Sequence, residues 1–350
     1  MPDGTPAELL AYIEALADPA AMPKSRGRLR YYLRKAAAAT AEAAGRIIAQ
    51  TRPDDALHSR AVALKLDALQ TLRELGEPRA GDALVAFAAS LGDVADEALA
   101  ARVREAAMAA EVDAVLAAGR PADAAPLVAR IALLLKASPD DIGLARTATA
   151  LATKLADMPA GEPAAVAAFE AFLPLLERSG NPAIRELAAD VGGTARRLSL
   201  PGHPMQITGT LLSGEPFDQS TLAGKVVLVD FWATWCGPCV AEIGNLRKEY
   251  ERWHDKGFEV VGVSLDEDRD ALEQFVQAKE IPWPILYEEP SGPGWRHPLA
   301  TYYGITGIPT VVLIGRDGNV VTLDARGKKL GAALERLLGE PPARIGARQP

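Results

Sequence analysis

Cysteine is scarce: 350 residues hold only Cys236 and Cys239, so no disulfide framework holds the chain together. No apolar run approaches the roughly 18 residues of a membrane span. The opening Met1-Pro2-Asp3-Gly4 shows neither a basic region nor an apolar core of a signal segment, so a cytoplasmic location stays open from sequence. Positive charge is also in deficit, with a net charge of -8, and acidic residues outnumber basic ones on both sides of residue 198. That balance excludes a nucleic-acid partner and an anionic membrane surface as expected ligands. The four histidines, His58, His203, His254 and His297, have no ligand spacing to the cysteines, so no metal site is expected.

What is present divides the chain in two. Alanine crowds residues 1–198, whereas all five tryptophans (Trp232, Trp235, Trp253, Trp283, Trp295) come after residue 230. Alanine favours helices and lets them approach closely, while bulky aromatic and β-branched residues suit sheets. Residues 1–198 are therefore expected to be all-helical, 199–204 a linker marked by Pro201, Gly202 and Pro204, residues 205–340 an α/β domain and 341–350 a tail.

Helix breakers recur in the first region. Gly76-Glu77-Pro78, Gly119-Arg120-Pro121 and Gly161-Glu162-Pro163 lie 43 and then 42 residues apart, and Leu84-Val85-Ala86 returns as Leu127-Val128-Ala129. A second set of breaks falls between them, at Pro53-Asp54-Asp55, Gly92-Asp93, Pro139-Asp140-Asp141 and Asn181-Pro182. Two breaks per period mean one helical hairpin per repeat. A lone Ala-rich hairpin cannot bury its apolar stripe, so the hairpins must stack as a solenoid or bundle. Such a surface can carry a protein partner or serve as a spacer, and fold alone does not decide between them. The dense basic run Lys24, Arg26, Arg28, Arg30, Arg34, Lys35 is expected to be a solvated helix face.

The second region reads as a strand at Gln206–Leu211, a buried strand at Lys225–Trp232, a helix from Cys236 to about His254 and a strand at Phe258–Val263. A helix near 267–280, a strand near Trp283–Leu286, a short helix near Pro298–Tyr303, a hairpin of Thr310–Ile314 with Asn319–Leu323 and a helix at Lys328–Leu338 follow. The continuous apolar character of Lys225–Trp232 marks a central strand covered on both faces.

The chemistry lies where that strand becomes a helix, at Trp235-Cys236-Gly237-Pro238-Cys239. Two thiols at i and i+3 on a first helical turn can close a small disulfide. The upstream sulfur, expected to be exposed, faces the positive end of the helix dipole and can accept amide N–H bonds, which favours its thiolate. Cys236 is the expected nucleophile and Cys239 the sulfur that resolves a mixed disulfide with substrate. Pro238 stiffens the turn without removing a needed hydrogen bond. Zinc would need a second ligand pair, covalent haem would need His at 240 where Val240 stands, and Val229 and Ala233 argue against a peroxidatic site.

The segment Val229-Asp230-Phe231-Trp232-Ala233-Thr234-Trp235-Cys236-Gly237-Pro238-Cys239 resembles the active-site segment of thioredoxin-fold proteins, a resemblance that covers residues 205–340. The Ala233-Thr234-Trp235 lead, Gly224-Lys225, and about 25 extra residues before Gly307-Ile308-Pro309-Thr310 look like the TlpA/ResA branch of bacterial thiol:disulfide reductases, which are usually exported. The resemblance implies a mixed sheet and a cis peptide at Ile308-Pro309 whose loop faces the dithiol. It implies substrate contact by Trp235, Gly237, Pro238, Ile308 and Pro309. It also matches Asp230 to a buried aspartate behind the second cysteine and Glu242 to a glutamate that perturbs the pair's titration. Either carboxylate could take the Cys239 proton, Asp230 because a carboxylate ending an apolar run has a raised pKa. One departure is Gly262, where thioredoxins place a lysine that pairs with the aspartate.

The expected activity is thiol:disulfide oxidoreduction, as a reductase of protein disulfides fed by an upstream thiol donor, with no cofactor beyond the Cys236–Cys239 pair and a periplasmic or cell-envelope site by resemblance. The competing reading is a helical binding scaffold that carries a redox-sensing or structural domain. The segment from Tyr287 to Pro298 reads as a loop whose Trp295 or His297 touches the partner.

Overall fold

The computed structural model describes residues 4–91, 96–288 and 294–339. The expected tail 341–350 and the break at Gly92-Asp93 lie outside the described residues. The chain divides into two compact units, residues 1–185 and 186–350.

The first unit is all-helical, as its composition dictates. Its helices are α1 (Pro6–Leu16), α2 (Arg26–Gln50), α3 (Ala56–Glu74), α4 (Ala80–Ser90), α5 (Glu97–Ala117), α6 (Ala125–Ala137), α7 (Ile142–Ala156), α8 (Glu162–Leu176) and the start of α9 (Pro182–Leu198). The described breaks read from sequence fall between helices or in a helix's first turn, and two of their aspartates are caps. Asp55 accepts from the Leu57 N–H and Asp141 from the Leu144 N–H, each worth ~1 kcal/mol of helix stability.

Alanines bring the helices together: Ala43, Ala44 and Ala61 are buried against Leu9, Ile13 and Ile47. A second cluster gathers Val62, Leu66, Leu84, Phe87 and Val103. The pairing departs from a simple repeat in one place. The segment opened by Gly119-Arg120-Pro121 is expected to form its own hairpin, yet α6 and α7 each pack more extensively on α8 than on each other. The bulky side chains Phe169, Phe172 and Leu176 lie buried on α8 and make it the hub. The basic run is also more than a solvated face, because Arg30 donates to the Leu75 carbonyl at the end of α3 and Arg34 pairs with Glu77.

The second unit is a five-stranded mixed sheet flanked by helices. Its strands are β1 (Val226–Trp232), β2 (Phe258–Ser264), β3 (Ile285–Leu286), β4 (Thr310–Ile314) and β5 (Val320–Thr322), in the order β3-β2-β1-β4-β5. β1 pairs parallel with β2 and antiparallel with β4, and every residue of β1 is buried. The helices are α10 (Gly237–Trp253), α11 (Arg269–Ala278), α12 (Pro298–Tyr302) and α13 (Lys328–Leu338). This is the mixed α/β architecture expected of a thioredoxin-like domain.

Two expectations change. The strand at Gln206–Leu211 does not form, and only isolated bridges from Thr210 to Pro216 and from Leu211 to Leu286 remain. Gly209 at φ 152 and Pro216 in the partner segment break the ladder. The division between units also falls earlier than the expected linker at 199–204, because the last turns of α9 pack into the second unit. Arg196 and Arg197 donate to the Tyr302 and Tyr303 carbonyls, the free acceptors at the end of α12. A Cβ on Gly193 would lie 2.6 Å from the Gly304 nitrogen, so glycine at 193 permits that approach. Among the described residues no helix is long and apolar enough to cross a membrane.

Candidate active site

The site stands at the carboxyl end of β1. After Trp232 the chain turns through Ala233-Thr234-Trp235, and α10 begins at Gly237 with Cys236 as its N-cap. The Cys236 sulfur accepts the Cys239 N–H at 3.2 Å, and the two cysteines form a disulfide with a Cα–Cα separation of 5.2 Å. Sulfur at the cap takes an amide donor that the helix leaves unpaired and sits at the positive end of the dipole. In the reduced form that arrangement stabilises a Cys236 thiolate. Pro238 occupies the first turn, where its missing N–H costs nothing.

Exposure differs from the sequence expectation. Cys236 is 6% exposed and Cys239 3%, so the upstream sulfur is nearly covered rather than open. The exposed surface beside it is aromatic: Trp235 is 57% exposed, and its ring lies 6.3 Å from that of Trp295. Trp295 thus stands beside the motif, whereas His297, the other residue offered for partner contact, does not reach solvent. It is 1% exposed, its Nδ1 accepts the Leu299 N–H at the start of α12, and burial pulls its pKa down to about 4. Pro298, the first residue of the short helix, makes the histidine before it the cap, which its place in a polar, breaker-rich segment concealed. Residues 289–293 of that loop lie outside the described residues.

Asp230, on β1, is buried, and its carboxyl pKa is raised to about 7. Burial is the main cause; the neighbouring Glu242 raises it further, and Arg326 opposes both. Glu242 is half-buried on α10, where its Oε1 accepts from Asn245 and from the Gly327 N–H, both at 2.8 Å. Cys239 and Glu242, three residues apart, share one face of the helix. The peptide bond between Ile308 and Pro309 is cis, as the resemblance implied.

Sequence reasoning missed two residues. Asp266 follows β2, is 2% exposed and accepts from the Thr234 N–H, the Thr234 hydroxyl and the Ser264 hydroxyl. It fixes the turn that delivers Cys236 to the head of α10. Its signal was a polar Ser264-Leu265-Asp266 step at the carboxyl end of a strand parallel to β1, where open α/β sheets place their sites. The other is Arg326, whose Nη1 donates to the Pro309 carbonyl at 3.3 Å. It lies in a turn with no motif, and nothing in the sequence set it apart.

The Redoxin family matches residues 200–336, which leaves the whole of the helical unit outside the match. The chain is 29% identical over 129 residues to the thiol-disulfide oxidoreductase ResA of Bacillus thuringiensis subsp. konkukian, covering 37% of this chain and 70% of that protein. It is 33% identical over 111 residues to ResA of Oceanobacillus iheyensis, covering 30% of this chain and 55% of that protein. Among solved structures, the thioredoxin domain of a thiol-disulfide oxidoreductase from Bacteroides vulgatus is 29% identical, covers 39% of this chain and 97% of its own, and has a TM-score of 0.36.

Proposed function

We propose that this chain, a TlpA/ResA-like thiol:disulfide oxidoreductase, works as a reductase of protein disulfides on the envelope side of the membrane. The observation that carries the reading is the disulfide at the head of α10, with the Cys236 sulfur capping the helix. Once reduced, the Cys236 thiolate attacks a substrate disulfide. One substrate sulfur leaves as a thiolate, and the other stays bonded to Cys236. Cys239 then gives up its proton and attacks the Cys236 sulfur, which restores the Cys236–Cys239 disulfide and releases the second substrate thiolate. Two electrons pass from the pair to the substrate, and an upstream thiol donor must return them.

Asp230 is the proton acceptor for Cys239 in this reading. A carboxylate with its pKa near 7 is partly ionised at neutral pH and suits proton transfer there. Glu242 perturbs that titration, and the two acids titrate as a pair. The cis Ile308-Pro309 loop, Trp235 and the Gly237-Pro238 turn receive the substrate strand, and Trp295 widens the aromatic surface.

The reducing direction is what the resemblance to the TlpA/ResA reductases implies, and the compartment's poise sets the net direction together with the potential of the pair. Equilibrating the full chain with glutathione buffers is expected to give a potential more reducing than about -200 mV, whereas a value near about -120 mV would mark an oxidant and contradict the reading.

A further inference from the structure

Among the described residues the second unit exposes three large hydrophobic side chains, Trp235, Trp295 and Tyr302. Tyr302 has a partner, the Arg196 guanidinium 4.0 Å over its ring. The two tryptophans stand together, with ring centroids 6.3 Å apart and planes tilted by 53°, and Trp235 immediately precedes Cys236. A single exposed apolar residue is ordinary on a protein surface, whereas an aromatic pair beside a reactive disulfide is interaction surface.

Both indoles are anchored on one dipeptide after β2. Asp266 accepts the N–H and the hydroxyl of Thr234 and so fixes the backbone that carries Trp235. The next residue, Glu267, packs on the backbone that carries Trp295. A Cβ on Gly294 would stand 3.0 Å from Glu267 Cγ, and Gly294 has φ 64, so glycine permits that approach. On the other side of Trp295, the His297 N–H donates to the Gly294 carbonyl at 3.0 Å, and the buried His297 ring caps α12. Two indoles held this way form a preset corner that loses little conformational freedom when a side chain enters it.

We propose that Trp295 is a specificity-determining residue of the exchange reaction, forming with Trp235 a corner that takes an aromatic side chain next to the attacked cysteine of a polypeptide substrate. The proposal rests on the dithiol reading above and adds to it the class of sequence the site prefers. Continuity with Cys236 places the occupant of the corner beside the substrate sulfur. A ring suits the corner better than an aliphatic chain, because tilted and edge-to-face ring contacts add to the gain from burial. Trp235 adjoins Cys236 and meets every substrate, while Trp295 lies outside the Cys236–Cys239 turn and discriminates among them.

The test uses the reduced full chain in single turnover with two uncharged probes, the symmetric disulfides of N-acetyl-Phe-Cys-amide and N-acetyl-Ser-Cys-amide. Each chain passes two electrons to one probe disulfide, which yields two probe thiols as the Cys236–Cys239 disulfide closes. Chromatography gives a second-order rate constant for each probe, and the quantity read is their ratio, divided by the ratio that dithiothreitol gives. The native chain is expected to favour the Phe probe roughly ten-fold. Trp295→Ser is expected to cut that preference to about two-fold, and Trp295→Phe to keep most of it. The ratio is taken within one variant, so a general loss of activity cancels. A native ratio near one, a Ser variant with the native ratio, or a Phe variant as low as the Ser one overturns the role while the dithiol reading stands. A native chain that reduces neither probe overturns that reading and this role with it.

Discussion

Replacing Cys236 by serine abolishes disulfide exchange, while replacing Cys239 by serine leaves the first chemical step intact and stops the second. In Cys236→Ser the cap position keeps an oxygen that can accept the Cys239 N–H, so the helix start survives. The nucleophile is gone, however, and turnover of insulin disulfides is expected to fall to the uncatalysed rate. In Cys239→Ser the Cys236 thiolate still attacks, but nothing displaces the substrate, so a covalent chain–substrate adduct accumulates in proportion to substrate consumed. Non-reducing gels and mass measurement read both outcomes. Native-level turnover in Cys236→Ser, or no adduct in Cys239→Ser, would contradict the assignment of roles.

The second large effect is on stability, and its sign is opposite to that of most core substitutions. Asp230 loses its proton near pH 4 in the unfolded chain and at about 7 in the native one. Between those values the native state binds more protons, so stability falls as pH rises through that window and is flat above it. Three units correspond to about 4 kcal/mol at most. Asp230→Asn removes the charge and keeps the shape, and is expected to be more stable than the native chain at pH 8 by roughly 2–4 kcal/mol, with the pH 4–7 decline largely gone. Its resolving step is expected to slow by about 10²–10⁴-fold, the range of a lost proton acceptor. Denaturant unfolding followed by tryptophan fluorescence isolates this transition, since all five tryptophans lie in the second unit. A variant less stable at pH 8 would contradict the burial of an ionisable Asp230.

Much of this architecture is legible in sequence because local chemistry and tertiary demand agree. Gly-x-Pro and Pro-Asp-Asp breaks are caps and turns wherever they fall, and β1, apolar on both faces but for Asp230, has one place to go, between two covered faces. The pair Cys236 and Cys239 is legible for the same reason, since spacing and helix start together define the chemistry. What stays hidden depends on which surfaces meet. Gln206–Leu211 has strand composition but no ladder, α6 prefers the aromatic face of α8 to its sequence neighbour, and the end of α9 follows Gly304 rather than the linker. The near-complete cover of Cys236 and the burial of His297 are likewise set by distant packing. Asp266 and Arg326 act through backbone groups of other segments, Thr234 and Pro309, and a sequence carries no mark of such reach.

The central claim is that the head of α10 makes Cys236, and not Cys239, the standing thiolate. Its most direct measurement is the pH dependence of alkylation of the reduced chain at limiting reagent, with the modified sulfur located by peptide mass. The account predicts that Cys236 is modified first, with a midpoint well below the roughly 8.5 of a free thiol. A Cys236 midpoint at the free-thiol value, or first modification at Cys239, would contradict it.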